Sequence, residues 1–398
     1  MAESINALFD EAFLADIQHG YRALSARARV HELVSTEGAP VWLVMGYDEV
    51  KSALGDSRLS LDRRNAGSSV RGVFPSQMNA TLLNRDPPDH TRLRRLVNQA
   101  FTARRVELLR PAIERTVEEL LAAVSSAPTF DFIEAIAAPL PIRVISDLLG
   151  VPVSQTMRFR ELAASLFLQV GPISPAESGP ALFELVQDLL RAKRDAPSDD
   201  LLSALISARD DEDKLDEQEL ISTTLLILFA GFETTVNLLS TGMLTLLRHD
   251  EQLQRLRQQP ALVSHAVEEL LRYCGPAQLA IRRFALEDME IAGVTIPRGG
   301  IVVLCLAGAN LDEGRYPRAN DFDLDREDVA HLAFGHGLHF CVGAPLARME
   351  ASLVFAALLR QFPQLELAIS AEEVPWRPWS PLTSLRGPSS LPVRVQTR

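Results

Sequence analysis

Apolar residues recur at helical spacing along most of the chain and alternate in only a few short runs. Helical periodicity covers about 8–29, 89–98, 104–124, 138–149, 154–169, 177–194, 199–207, 216–248, 262–273 and 344–361. The last of these begins near Ala344, with Pro345 in its first turn where proline is tolerated, and ends near Gln361. Segments 30–34 and 40–44 read as strands, followed by a short helix from Asp48. Residues 280–304, punctuated by Gly293, Pro297, Gly299 and Gly300, read as strands with turns. Periodicity fades over 58–85 and 305–342, which predicts loops, and loops of that length in a compact domain tend to carry function. The acidic run Asp210–Asp213 reads as a solvated loop. With no internal repeat and no low-complexity linker, the pattern predicts one domain over 1–398, mainly α with a small β lobe.

Composition narrows the partners. The chain has 398 residues, 47% hydrophobic and 23% charged, which is ordinary for a globular protein. Its formal net charge of -12 argues against nucleic acid or an anionic membrane as the main partner. The first twenty residues lack a basic start and a long apolar core, so no secretory signal is expected. The most apolar stretch, from Leu225, is interrupted by Glu233 and Asn237 and suits a buried core helix better than a membrane span. The three cysteines, Cys274, Cys305 and Cys341, are widely spaced and in no CxxC pair, as expected of reduced thiols in a cytoplasm.

Cys341 differs from the other two in its surroundings. It lies in Phe334–Glu350, FGHGLHFCVGAPLARME, just before the predicted helix at Ala344. A helix N-terminus presents free N–H groups and a positive dipole end, which stabilise a thiolate. Gly335, Gly337 and Gly343 permit tight backbone around the sulfur, and Phe334 and Phe340 supply apolar bulk. A glycine-rich turn with an incidental cysteine fits the spacing equally well.

Three other clusters break the surrounding pattern. Ala230-Gly231-Phe232-Glu233-Thr234-Thr235 places an acid, two hydroxyls and a glycine inside an apolar helix, where glycine costs about 1 kcal/mol relative to alanine. Such threonines also satisfy themselves on the i−4 carbonyl. Glu269 and Arg272, at i and i+3, share a helix face, as do His90 and Arg94 at i and i+4. Taken singly, these pairs are as consistent with solvated helix faces.

Together, and in this order, the clusters resemble the cytochrome P-450 family over nearly the whole chain. Phe334, Gly337, Cys341 and Gly343 match its FxxGxxxCxG haem signature, and the Ala344–Arg348 tail looks like that of soluble bacterial members. The resemblance implies haem b held by Cys341 as metal ligand, a thiolate whose electron push favours O–O cleavage. It implies an oxygen-side helix in which Ala230 and Gly231 line the haem and Gly231 leaves room for dioxygen. Thr234 would hydrogen-bond the oxygen and Glu233 would relay protons. His90, Arg94, Arg283 and His339 become haem propionate partners, with Phe334 and Gly343 also at the cofactor. Glu269 and Arg272 become a buried pair joined by Arg326 that fixes the core around the cysteine loop. His331 and His336 are expected to be structural. One departure is Leu311, where the family usually has arginine, which would alter local ion pairing.

The implied activity is a monooxygenase using dioxygen on a small organic substrate, by hydroxylation or epoxidation. Loop 58–85 and the segment after it are similar to macrolide and polyketide tailoring hydroxylases. Substrate contacts are expected from 58–85, 154–190, Leu226–Glu233, 277–281 and Ser380–Thr383. Electrons would come from ferredoxin and ferredoxin reductase, docked on a local basic stretch of Arg92, Arg94, Arg95, Arg104, Arg105, Arg110 and Arg115 against Glu107 and Glu114. Two alternatives are a peroxide-driven peroxygenase and a non-catalytic helper. The acid–alcohol pair Glu233–Thr234 speaks against the first and the retained Cys341 against the second.

Overall fold

The structure is a computed structural model that describes residues 4–10, 13–14, 16–35, 38–67, 81–163, 165–166, 173–210, 213–379 and 384–395. The chain forms two compact units, each gathered from separated stretches. The first comprises Met1–Arg71, Ser240–Cys341 and Ser370–Ser389, and the second Gly72–Leu239, Val342–Ile369 and Ser390–Arg398.

The first unit is built on a five-stranded sheet. Val30–Val34 pairs antiparallel with Pro40–Val44, Val30 standing opposite Val44. Ile301–Leu304 runs parallel beside Pro40–Val44, followed by Arg283–Ala285 and, at the far edge, Leu59–Ser60. The central strand Ile301–Leu304 is buried at every position, while the edge strand Val30–Val34 keeps several residues partly or fully exposed. Period-two geometry sorts the sheet's side chains into two cores. Trp42, Val44, Val302 and Leu304 join Tyr47 and Tyr316 in one. Val41, Leu43, Ile301 and Val303 join Tyr21, Cys305 and Leu311 in the other. Leu311 is therefore a core residue. The neighbouring Asp312 takes the ion pairing instead, accepting from Arg29 Nη1 at 2.6 Å and from the Tyr47 N–H at 2.9 Å.

The second unit is helical. Arg110–Val124 packs against Pro139–Leu149 and against Ala344–Gln361. A three-stranded antiparallel sheet of Leu365–Leu367, Pro392–Val395 and Thr129–Asp131 completes it. Its strands have three or four residues each, too short for alternation to register in the sequence.

Several expected elements are redrawn. The 8–29 helix is Ile17–Arg27, preceded by a separate turn of helix at Ile5–Leu8. The 104–124 helix is broken into Ala103–Leu108 and Arg110–Val124, because Pro111 cannot donate to the turn before it. The described helix within 154–169 is Val153–Ala163. The acidic Asp210–Asp213 stretch is flanked by paired strands, Arg209–Asp210 and Asp213–Lys214. The 305–342 loop contains the helix Leu306–Asn310 and a single turn at Gly337–His339. The expected helix Ala344–Gln361 stands as read.

The helix Glu217–Arg248 is long and apolar enough to cross a membrane by length and composition, but 67% of its most apolar window is buried inside the fold. It carries buried Ser222, Thr224, Asn237, Ser240 and Thr241, and the Thr224 hydroxyl donates to the Leu220 carbonyl at 2.7 Å. Its environment is that of a core helix.

In the second unit, Glu350 is buried on the helix Ala344–Gln361 and its Oε2 has no hydrogen-bond partner. Burial pushes its carboxyl well above the usual range, so the folded chain holds it neutral. The unfolded chain releases that proton near pH ~4.3, so stability falls as pH rises from there towards the folded value. Glu350→Met is expected to raise the melting temperature, with a larger gain at pH 8 than at pH 5. Thermal unfolding at the two pH values would expose an equal gain at both, which would refute a neutral buried acid.

Candidate active site

The cysteine loop belongs to the first unit. Gly335 and Gly337 take φ of 72° and 73°, and the turn they make brings the Cys341 N–H to the Phe334 carbonyl at 3.0 Å. A Cβ on Gly337 would meet the Gly55 backbone and the Leu54 carbonyl at 3.4 Å. Gly343 differs from the other two glycines: at φ -79° its backbone suits any residue, so its left-handed freedom is not used. It stands as the cap before Ala344. The Phe334 and Phe340 rings lie 6.3 Å apart, Phe340 is 39% exposed and Cys341 is exposed. Cys274 and Cys305 are buried, which pushes both thiols up to about 12. Cys341 is thus the one accessible cysteine.

In the same unit, the Arg272 side chain has no exposure and all five of its N–H donors are occupied. Nε and Nη2 donate to Glu269 at 2.7 Å each, and the rest to the carbonyls of Asn310, Ala319 and Asp321. Arg326 Nε reaches Glu269 Oε1 at 3.2 Å, and its remaining donors hold the carbonyls of Pro317, Arg318 and Asp321. The expected triad forms as a cast around residues 310–326. Side chains from the same region then grip the entry to the cysteine loop. Tyr316 Oη donates to the Ala330 carbonyl, and Asn310 Oδ1 accepts from the Leu332 N–H at 2.7 Å.

Tyr316 and Asn310 gave no local signal in the sequence, because their partners stand 14 and 22 residues away. Arg283 is also in the first unit, buried on the strand Arg283–Ala285, and His339 closes the turn Gly337–His339. The Asp56 carboxyl is held down chiefly by Arg58, with Arg283 adding to the effect.

The second unit carries the remaining expected residues. Along Glu217–Arg248, Ala230 is exposed or partly so together with Ile227, Gly231 and Thr234, while Leu228, Phe232, Glu233 and Thr235 are buried. Positions 227, 230, 231 and 234 share one open face at helical spacing, and Phe229, also partly exposed, stands off it. The Thr234 hydroxyl donates to the Ala230 carbonyl at 2.6 Å, leaving its lone pairs to accept. Gly231 has a packing role that the sequence did not reveal: a Cβ there would collide with Ile145 Cδ1. The missing side chain admits the helix Pro139–Leu149 at that point.

His90 is buried one turn before Arg94 on Asp89–Ala100. Burial and then the Arg94 charge push its imidazole down, so it is held neutral. A neutral imidazole beside a guanidinium suits a carboxylate that accepts a hydrogen bond and a charge together.

Of the basic stretch, Arg92 is paired with Glu219 and Arg110 with Glu107, while Arg105 bonds the Asp200 carbonyl at 2.9 Å. Arg95, Arg104 and Arg115 are the exposed ones. Within 277–281, Gln278 and Leu279 are buried while Ala277, Ala280 and Ile281 are partly exposed. Residues 68–80, 167–172 and Ser380–Thr383 lie outside the described residues.

The donor set fits a haem. It offers one accessible cysteine sulfur and cationic or N–H donors suited to carboxylates. The open stripe of small and apolar residues on Glu217–Arg248 has no carboxylate facing from it. No group of three or more His, Cys, Asp or Glu able to cage a bare ion occurs among the described residues.

Comparison with known proteins agrees. A family model described as Cytochrome P450 matches residues 181–375. The chain is 42% identical to cytochrome P450 monooxygenase PikC of Streptomyces venezuelae, covering 96% of this chain and 92% of that protein. It is 40% identical to 6-deoxyerythronolide B hydroxylase of Saccharopolyspora erythraea, covering 98% of each. The solved structure of the Bacillus subtilis bacillaene polyketide synthase cytochrome P450 PksS superposes with a TM-score of 0.90 at 35% identity, over 98% of this chain and 99% of that one.

Proposed function

Because this chain belongs to the cytochrome P450 family, binds haem b and is a monooxygenase, we propose that its substrate is a macrolide or other polyketide and that the whole of 1–398 acts as one cytoplasmic catalytic domain. The reaction places one atom of dioxygen in the substrate and releases the other as water. The names of its relatives, among them a 6-deoxyerythronolide B hydroxylase and a polyketide synthase P450, support the substrate class.

The haem supplies the O–O cleavage chemistry. Cys341 would be its thiolate ligand. His90, Arg94, Arg283 and His339 would hold its propionates, with Phe334 and Gly343 also at the cofactor. Ala230 and Gly231 would line it. Thr234 is the hydroxyl on the open stripe, and it accepts a hydrogen bond there because its own proton is committed to Ala230. Glu233, buried one residue earlier, delivers protons. The two electrons come from a ferredoxin and its reductase, drawn by Arg95, Arg104 and Arg115. Ala277, Ala280 and Ile281 touch substrate, while Gln278 and Leu279 are committed to the core.

The Thr234 to Ala230 bond on an exposed stripe carries the monooxygenase mechanism. The test supplies ferredoxin, reductase, NAD(P)H and labelled dioxygen with a panel of macrolactones. Thr234→Val is expected to keep NAD(P)H oxidation and substrate binding but to divert most of the electrons to hydrogen peroxide. Product formed with hydrogen peroxide alone, unaffected by Thr234→Val, would make the protein a peroxygenase.

A further inference from the structure

We infer that His331 is a positioning residue for the thiolate ligand, acting in one fixed tautomer. The inference deepens the assignment of Cys341 as ligand and rests on it. His331 lies ten residues before Cys341, and its side chain is 2% exposed. Its Nδ1 accepts from the Ala333 N–H at 3.1 Å. A neutral imidazole that accepts at Nδ1 must carry its proton on Nε2. Nε2 lies 3.3 Å from Glu268 Oε2 on the helix Val263–Cys274. That approach is not a hydrogen bond, so the Ala333 bond alone sets the tautomer: the other one would set two N–H groups against each other there.

The bond at Ala333 matters because Phe334 comes next in the chain. The Phe334 ring stands 5.8 Å from the His331 ring, and its carbonyl accepts the Cys341 N–H. The Ala330 carbonyl and the Leu332 N–H on either side of His331 are held by Tyr316 and Asn310. Ala333 N–H is the last backbone group before Phe334 that a side chain grips, and His331 grips it. If that grip is lost, the Phe334 carbonyl is free to turn away from Cys341, and the sulfur loses its place. Outer partners of this kind orient metal ligands without touching the metal.

The two contacts can be separated by substitution. Asparagine places its Oδ1 where the imidazole has Nδ1, so His331→Asn keeps the Ala333 bond and loses Glu268. His331→Phe keeps the bulk and loses both, and Glu268→Gln tests the far end alone. The readout is the red-shifted Soret band of the reduced carbon monoxide complex in holoenzyme, followed as it decays in mild urea. His331→Phe is expected to lose the band roughly tenfold faster than the natural protein, the scale of one buried hydrogen bond left unmade. His331→Asn is expected to restore most of that, while far-ultraviolet circular dichroism is the same for all. Equal decay in His331→Asn and His331→Phe would overturn the role, as would no change in His331→Phe. Cys341→Ala, run alongside, separates the two assignments: a band that survives in that variant refutes the ligand and leaves the His331 comparison to be read on loop stability alone.

Discussion

Cys341→Ala is expected to abolish the red-shifted Soret band of the reduced carbon monoxide complex and to lower substrate oxidation by more than ~100-fold, since even the outer partners of metal ligands are worth about 10–100-fold. No other cysteine can substitute. Cys274 and Cys305 are buried, and desolvation holds both as thiols by pushing them up to about 12. The loop geometry survives the change, because the Cys341 bond to Phe334 is made by the backbone and the positive φ belongs to Gly335 and Gly337. The variant should therefore fold. Reduced carbon monoxide spectra and turnover on the same sample decide the matter, and a retained red-shifted band would mean that another group holds the iron.

Arg272→Leu is expected to be the most damaging change away from the haem, costing roughly 3–5 kcal/mol, as breaking a buried charge pair does. Glu269 would be left with no exposure, and only Arg326 and the Asp323 N–H would remain against it. The carbonyls of Asn310, Ala319 and Asp321 would also lose donors. Lysine offers three donors from one point and cannot reproduce five in a plane, so Arg272→Lys should be nearly as poor. Yield of haem-loaded protein and urea unfolding measure the effect. A variant within about 1 kcal/mol of the natural protein, the range of exposed pairs, would show that the network is not holding the fold.

The parts legible in the sequence were those with local causes. Pro345 and the apolar spacing after it placed the helix Ala344–Gln361 at its observed bounds. The i, i+3 spacing put Glu269 and Arg272 on one face. Burial was not legible: nothing local distinguishes this pair from a solvated one, and only the order of motifs along the chain did so. The contact of Gly231 with Ile145 was not legible either, because tertiary packing brings the two together. His331 looked structural because its partner Glu268 is remote in sequence, although the acceptor bond to Ala333 is local. The 104–124 helix was drawn through Pro111 because its apolar spacing continues across the break.

Arg272 and Arg326 give residues 310–326 an unusual mechanical character. The stretch has little regular structure after Asn310, yet its carbonyls are tied at Asn310, Pro317, Arg318, Ala319 and Asp321 to two guanidinium groups. Surface connections ordinarily absorb insertions at small cost, since closure entropy grows slowly with length. Here each added residue would move a carbonyl off a planar donor that cannot follow it. The segment is therefore fixed in length as well as in shape, and grafting or loop exchange between relatives should respect its residue count as strictly as that of a helix.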